Sequence, residues 1–506
     1  MKTGALQSLA WLHTWSGLVV GWLLFAVCFT GSLAVFHREI SHWMQPELQV
    51  NAAEAEPSLR LGEAYLRRHA AQAPFWSIRL PSAQEPALEL SWQQDGASFT
   101  HFLDAQSGRL LVPRPSEGGE FLVELHYSFH AGTPGLWLVG LCGIVMLLAG
   151  GSGIVIHRRL FKDFFTFRPR AGAQRSWLDA HNLLGVLALP FHLMIAYTGL
   201  IASAWTFLPA AFNTLYDGNL SAYFLESAQT LIQPPEAQAM PMVSLTQLLA
   251  QAEAHFGMGQ VASLLVLNPD HGGATVQVLR QVGDQVALAA DRLTFDGISG
   301  TLLQVVDTRS PAQHSYTVLA GLHYAQFGGA PVRWLYFFLG LASCAMIATG
   351  LVLFSIKRRE KHQRDALAPS RAYAVIERCN VLAVAGFLNG VAAYFWANRL
   401  LPLSLPGREG WEIATLFLVW LATLPHALLR PARCAWIEQL ASAGLLCLLL
   451  PLLNGLTTEA HLLHSLQHGR WAMASVDLSF MATGGLLMGI AWKLAEGRIL
   501  ECKRGR

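Results

Sequence analysis

The chain carries nineteen histidines, and four of them form two pairs related by internal repetition. WLHTWSGLVVG and LDAHNLLGVLA align at a constant shift of 168, which sets His13 on His181, Gly17 on Gly185 and Thr30-Gly31 on Thr198-Gly199. LHYSFHAGTPGLWLVG and LHYAQFGGAPVRWLYF align at a shift of 197, which sets His126 on His323, Tyr127 on Tyr324, Pro134 on Pro331 and Trp137 on Trp334. All four histidines lie near the ends of long uncharged runs, where an ionisable side chain is costly and counts as a functional candidate. Two imidazoles face to face make an axial ligand pair for haem, and iron held that way is suited to electron transfer. The repetition therefore predicts two haem b sites, with iron between His13 and His181 near one membrane surface and between His126 and His323 near the other. No Cys-x-x-Cys-His occurs, so these haems would be held by ligands alone.

Three further histidines are candidates. His192 follows His181 by eleven residues, which on a straight helix is about 16 Å along and only about 20° round; it could replace or supplement one of the paired ligands. His130 and His157 have Phe327 and Phe354 at the equivalent repeat positions. Gly17, Gly21, Gly31, Gly143, Gly150, Gly151, Gly153 and Gly185 would leave room for a macrocycle, although close helix packing is their ordinary role. A lone interfacial histidine ordinarily snorkels or forms a hydrogen bond. Repetition at matched depths is what argues for ligation. His426, His461, His464 and His468 lie outside the repeats; zinc or copper binding there competes with the simpler reading of a solvated outer loop.

Only 13% of the 506 residues are charged and 53% are hydrophobic, against roughly 25% charged in a soluble domain. Uncharged runs from Trp15 to Phe36, Gly135 to Ile156, Leu183 to Pro209 and Trp334 to Ile356 are each long enough to cross a bilayer. Four more follow, at about Val381–Ala397, Ile413–Leu429, Leu440–Leu456 and Ala472–Trp492. Asp477 in the last is tolerated at an interface or facing the bundle interior. The expected fold is thus an α-helical integral membrane protein of about eight spans.

The segment after the second span carries Arg158, Arg159, Lys162, Arg168, Arg170 and Arg175, and that after the fourth carries Lys357, Arg358, Arg359, Lys361, Arg364, Arg371 and Arg378. The positive-inside rule puts both in the cytoplasm, with both termini. Residues of about 38–133 and 210–331 then form two outer lobes of alternating apolar pattern. Each lobe closes on a hairpin turn, FLDAQSGRLL or TFDGISGTLL. The organisation is a duplicated span–lobe–span core: 1–160, a cytoplasmic loop 161–176, then 177–360, with four additional spans in 361–506. The first span reads as a retained anchor, because His37-Arg38-Glu39 stands where a cleavage site would. None of the seven cysteines falls in a lobe, so disulfides do not hold the lobes together.

The paired openings, both LHY elements and the Asp-x-x-Ser-Gly lobes resemble the PepSY-associated transmembrane family over residues 1 to about 360. Some members are bacterial inner-membrane ferrisiderophore reductases. The resemblance implies PepSY-like α+β lobes in the periplasm, two haems, and delivery of electrons to a ferric siderophore with release of Fe(II). No nucleotide fingerprint is present and the inner loops are too short for a flavin domain, so the electron donor is a separate cytoplasmic or membrane component. Nucleic acid is not among the expected partners; the lipid bilayer is. Two other readings compete: a membrane-anchored PepSY module that binds a peptide or protein, and a transporter. The parallel, nearly uncharged repeats speak against transport.

Overall fold

The computed structural model describes residues 3–51, 53–157, 168, 172–227, 231, 238–283, 285–288, 291–307, 309–365 and 371–504. The basic residues Arg158, Arg159, Lys162 and Arg170 lie outside them. The chain divides into two compact units. One comprises Met1–Met44, Pro115–Leu200 and Arg333–Arg506, the other Gln45–Arg114 and Ile201–Val332.

The first unit is helical. Among the described residues six helices are long and apolar enough to cross a membrane, or up to eight spans if each of two bent pairs counts as one. The bent pairs are α1 (Thr3–Val19) with α2 (Gly21–Ala34), and α7 (Ala173–Leu187) with α8 (Leu189–Ala202). They turn by 61° and 62°, at Val20 and Ala188, positions related by the 168 shift. In the second pair Pro190 cannot donate to the Val186 carbonyl and breaks the ladder. In the first, Gly21 weakens the helix by about 1 kcal/mol relative to alanine. Between the pairs come α3 (His37–Met44), α4 (Ala55–His69, in the other unit), α5 (Glu120–Ser128) and α6 (Gly132–Ile156).

Two expected boundaries change. Residues 38–44 and 115–133 belong with the membrane helices and not with the first lobe. The cause is apolar burial: Ile40, Trp43 and Met44 of α3 and Phe121, Leu122 and Leu125 of α5 are buried in the core of the membrane unit.

The two lobes are also not separate sheets. Strands β1 (Phe75–Arg79), β2 (Leu88–Gln94), β3 (Ala97–Leu103), β4 (Leu110–Leu111), β5 (Val261–Leu267), β6 (Thr275–Arg280), β7 (Arg292–Asp296) and β8 (Leu302–Val306) form one antiparallel sheet, ordered β4-β3-β2-β1-β5-β6-β7-β8. Each half alone would leave β1 or β5 as an open edge, and their pairing, Phe75 with Leu267 through Arg79 with Ser263, closes both. Helices α4 and α9 (Leu245–Phe256) share one core with the sheet, built on Leu59, Leu66, Trp76, Leu248, Val266 and Phe295. Arg67 on α4 ties the halves further by pairing with Asp270. The two predicted hairpins are present: Asp104 accepts the Gln106 and Ser107 amides at 3.0 and 3.1 Å, and Asp296 those of Ile298 and Ser299 at 3.0 and 2.7 Å. Gly108 and Gly300 follow at φ 72° and 74°. Helix α10 (Pro311–Tyr324) completes this unit.

Helix α11 (Gly329–Arg364) returns to the membrane unit, followed by α12 (Arg371–Val381), a π-turn segment (Leu382–Gly386), α13 (Phe387–Leu400), α14 (Arg408–Leu429), α15 (Ala432–Thr457), α16 (Leu462–Gln467) and α17 (Trp471–Arg504). A buried polar network clamps these helices to the first repeat. Asp477 faces the bundle interior and accepts from Trp43 Nε1 at 2.9 Å and Asn454 Nδ2 at 3.2 Å. The Arg399 guanidinium lies 3.9 Å from the Trp43 ring centroid and donates to the Trp43 carbonyl. Arg408 and Glu412 form an ion pair with no solvent exposure on either side chain, and Glu412 also accepts from Ser116 at 2.6 Å and Asn398 at 2.8 Å.

Two outcomes follow. Glu412→Ala strands the buried Arg408 charge, so thermal unfolding in detergent should show a loss of about 3–5 kcal/mol. In the sheet, the Ser299 amide holds the Asp296 carboxyl below its ordinary value of 3.8, against partial burial, which acts upward. A depressed carboxyl stabilises above its unfolded value, and that stability is lost as pH falls through the folded one. Sheet unfolding should therefore be independent of this group at neutral pH and weaken below about pH 4, with Asp296→Asn flattening the acid slope; an unchanged slope would contradict the assignment.

Candidate functional site

His13 lies in the second half of α1 and His181 in the middle of α7, both deeper in their helices than one turn from the end. Neither ring is aimed by its own helix. His13 Nδ1 lies 3.0 Å from the Ala149 carbonyl of α6 and 3.3 Å from Ser152 Oγ. His181 Nδ1 lies 2.9 Å from the Met346 carbonyl of α11 and 3.5 Å from Thr349 Oγ1. A carbonyl only accepts, so each Nδ1 carries the proton and each Nε2 keeps its lone pair. That is the tautomer a metal ligand needs, with the orienting bond such a ligand usually makes.

The two environments repeat. The 197 shift relates Ala149 to Met346, Ser152 to Thr349 and Gly153 to Gly350. A Cβ on Gly153 would stand 3.3 Å from His13 Cε1, and one on Gly350 would stand 3.0 Å from His181 Cε1. Glycine at each position lets the ring settle against the neighbouring backbone.

The two rings lie edge to face, with centroids 6.4 Å apart and planes at 74°. Metal–imidazole bonds run about 2.0–2.1 Å. Adding about 1.1 Å from nitrogen to ring centre on each side, a metal bridging two Nε2 atoms separates the centroids by about 6.3 Å. The centroid separation therefore fits two imidazoles on one metal ion. One turn beyond His13, a Cβ on Gly17 would meet nothing within 4 Å, and one on Gly151 likewise.

The helices around the pair close into a ring. Gly21 of α2 meets Leu351 of α11, Gly185 of α7 meets Met346 of α11, and Gly143 and Gly150 of α6 meet Leu200 and Leu193 of α8. Of the eight glycines singled out from the sequence, only Gly31 and Gly153 lie against a histidine ring.

His126, on α5, repeats the orienting device at a second place. Its Nδ1 lies 2.8 Å from the Val27 carbonyl of α2, and a Cβ on Gly31 would stand 2.7 Å from its Cε1. His323 closes α10 in the other unit, with its ring edge-on to Tyr324 at 6.0 Å. His192 is buried on α8, and its Nε2 has no hydrogen-bond partner among the described residues. An orphaned imidazole nitrogen costs about 1–3 kcal/mol, so the position fits a ligand. The bend at Ala188, however, means that His181 and His192 do not share one straight helix face, as the eleven-residue spacing suggested. His130 pairs through Nδ1 with Glu124 at 2.8 Å, and His157 caps α6. In the tail, the His464 and His468 rings stack at 4.1 Å, and among the described residues no group of three or more His, Cys, Asp or Glu is arranged to hold a metal ion.

Sequence reasoning missed the acceptors, since backbone carbonyls of Val27, Ala149 and Met346 leave no mark in residue type. It also passed over Gly350, which the 197 shift applied to Gly153 would have found.

A family profile described as the PepSY-associated TM region matches residues 10–358. The chain is also similar to an uncharacterized protein of Pseudomonas aeruginosa, 30% identical over 407 residues, covering 74% of this chain and 95% of that one.

Gly31→Ala should force the His126 ring aside and lower stability by about 1–3 kcal/mol, read as a thermal midpoint in detergent. Gly17→Ala, which meets open space, should not. Equal effects of the two would contradict the packing described.

Proposed function

The chain belongs to the PepSY-associated TM family, and we propose that within it this membrane protein is a di-haem electron carrier that reduces ferric iron, held by a siderophore, on the outer side of the bacterial inner membrane. The observation that carries this reading is the His13–His181 pair, whose 6.4 Å centroid separation matches two imidazoles on one iron and whose Nδ1 protons are fixed by facing carbonyls. His126 with His323 is proposed as the second ligand pair, with His192 as an alternative ligand for either haem; His130 and His157 are weaker candidates. When bound, haem supplies a one-electron Fe(III)/Fe(II) couple.

The protein's own part is orientation and insulation. The Ala149 and Met346 carbonyls hold each imidazole in its ligating tautomer, and the apolar helices keep water from the pair. The duplication of span, lobe and span, the cytoplasmic termini and the periplasmic position of the sheet are parts of the same proposal. The duplication is supported by the equivalent breaks at Val20 and Ala188 and by the equivalent acceptors Ala149 and Met346, and the sidedness by the basic segments after the second and fourth spans. The substrate chemistry fits one-electron delivery. Siderophores hold hard Fe(III) through oxygen donors, and one electron yields Fe(II), which such ligands hold far less tightly.

Protein purified after expression with ample haem should show a b-type reduced-minus-oxidised spectrum and about two haems per chain by pyridine haemochrome. His13→Ala and His181→Ala should each remove the same haem, and His126→Ala and His323→Ala the other. Mixing the reduced protein anaerobically with ferrioxamine B should reoxidise it, with Fe(II) trapped by ferrozine. Absence of haem would overturn the proposal, and haem without reoxidation would overturn its substrate.

A further inference from the structure

The membrane unit holds an open apolar cleft of about 90 Å³ between α2, α3, α11, α13, α15 and α17. Its walls are unusually aromatic, with Phe29, Phe36, Trp334, Phe337, Phe395 and Phe480 all lining it. Its polar groups come from α17 and α3. On α17, Ser475, Ser479 and Thr483 recur every fourth residue and so form a hydroxyl stripe on one helix face. Glu39 of α3 also lines the cleft, and Arg333 holds its two carboxylate oxygens at 2.7 and 2.6 Å.

The wall shared with α2 ties the cleft to the histidines. Val27 and Gly31 present one face of α2 to His126, while Phe29 and Leu33, each two residues on and about 200° round, line the cleft. One helix thickness, about 10–12 Å, therefore separates the cleft from the His126 ring.

We propose that this cleft binds the head ring of a lipid-soluble quinol, the membrane form of the separate donor in the electron-carrier reading, on which this inference rests. A flat ring stacks on aromatic walls, and its two oxygens need donors and acceptors, which the hydroxyl stripe and Glu39 supply; a lipid acyl chain uses neither. The cleft exists because the helices beyond residue 361 pack against the first repeat, which gives that otherwise unduplicated region a role. The electron balance also suits two one-electron centres. A quinol loses two electrons and two protons in becoming a quinone; the electrons go one each to two haem irons, Fe(III) becoming Fe(II), and the protons go to water. Ferric substrate can then be served one electron at a time.

The test is photolabelling of the full-length protein in nanodiscs with an azidoquinone, read by peptide mass spectrometry, with decylubiquinone as competitor. Label should concentrate on peptides containing Phe29–Ile40 and Ser475–Leu487. Excess decylubiquinone should reduce it at least ten-fold, and so should Ser479→Phe or Thr483→Phe, either of which fills the cleft. Label that spreads over all spans, or that competitor does not displace, would mean simple partition into lipid and would overturn the proposal. Two cleft-filling variants guard against one that fails to fold, and the thermal midpoint of each is measured alongside. The readout needs no haem. Competed label in a haem-free protein would sink the electron-carrier reading and leave the quinone site, whereas haem without competed label would do the reverse.

Discussion

The membrane unit is organised around a hydrogen bond that no helix makes for itself: an imidazole Nδ1–H given to a backbone carbonyl of the neighbouring helix. His13 makes it to α6, His181 to α11 and His126 to α2. In an α-helix a carbonyl is already committed to the amide four residues on, so a second donor must approach from the side. It can do so only where nothing projects, and the glycines meet that need: Gly153, Gly350 and Gly31 each leave the space that a ring then occupies. The small residue, the exposed carbonyl and the fixed tautomer are one device used three times. Haem ligation, as proposed, exploits what this device leaves over, a lone pair on Nε2 aimed away from the carbonyl.

Charge is treated differently in the two units. In the sheet, acids are spent locally on turns, where Asp104 and Asp296 gather amides. In the membrane unit they are spent on long-range clamps. Glu39 takes Arg333, Glu412 takes Ser116 along with Arg408 of its own helix, and Asp477 takes the indole of Trp43. Buried ion pairs contribute little net stability but penalise any arrangement that leaves one partner alone. The bonds from Ser116 to Glu412 and from Trp43 to Asp477 are the ones that join the helices beyond residue 361 to α3 and to the segment before α5.

Much of this was legible in the sequence because it depends on composition or repetition. Uncharged runs marked the spans, and Asp-x-x-Ser-Gly marked the hairpins. The 168 and 197 shifts pick out His13, His181 and His126, which share the carbonyl hydrogen bond. What was hidden depends on where the backbone goes. Hydropathy sees no bend, so the breaks at Val20 and Ala188 were invisible even with Pro190 in view. Alternating strands announce a sheet but not its partner, so the union of two lobes through β1 and β5 was missed. The apolar residues of α3 and α5 read as lobe because their run is short, yet Trp43 and Phe121 are buried in the membrane core. The carbonyl acceptors have no signature in residue type at all.

The central claim is that His13 and His181 hold one iron between them, and low-temperature electron paramagnetic resonance of the oxidised, haem-loaded protein tests it most directly. Ring planes crossing at 74° predict the strongly anisotropic, large-gmax low-spin signal of near-perpendicular imidazoles, lost alike in His13→Ala and His181→Ala. Survival of that large-gmax signal in either variant, or its absence from the intact protein, would contradict the account.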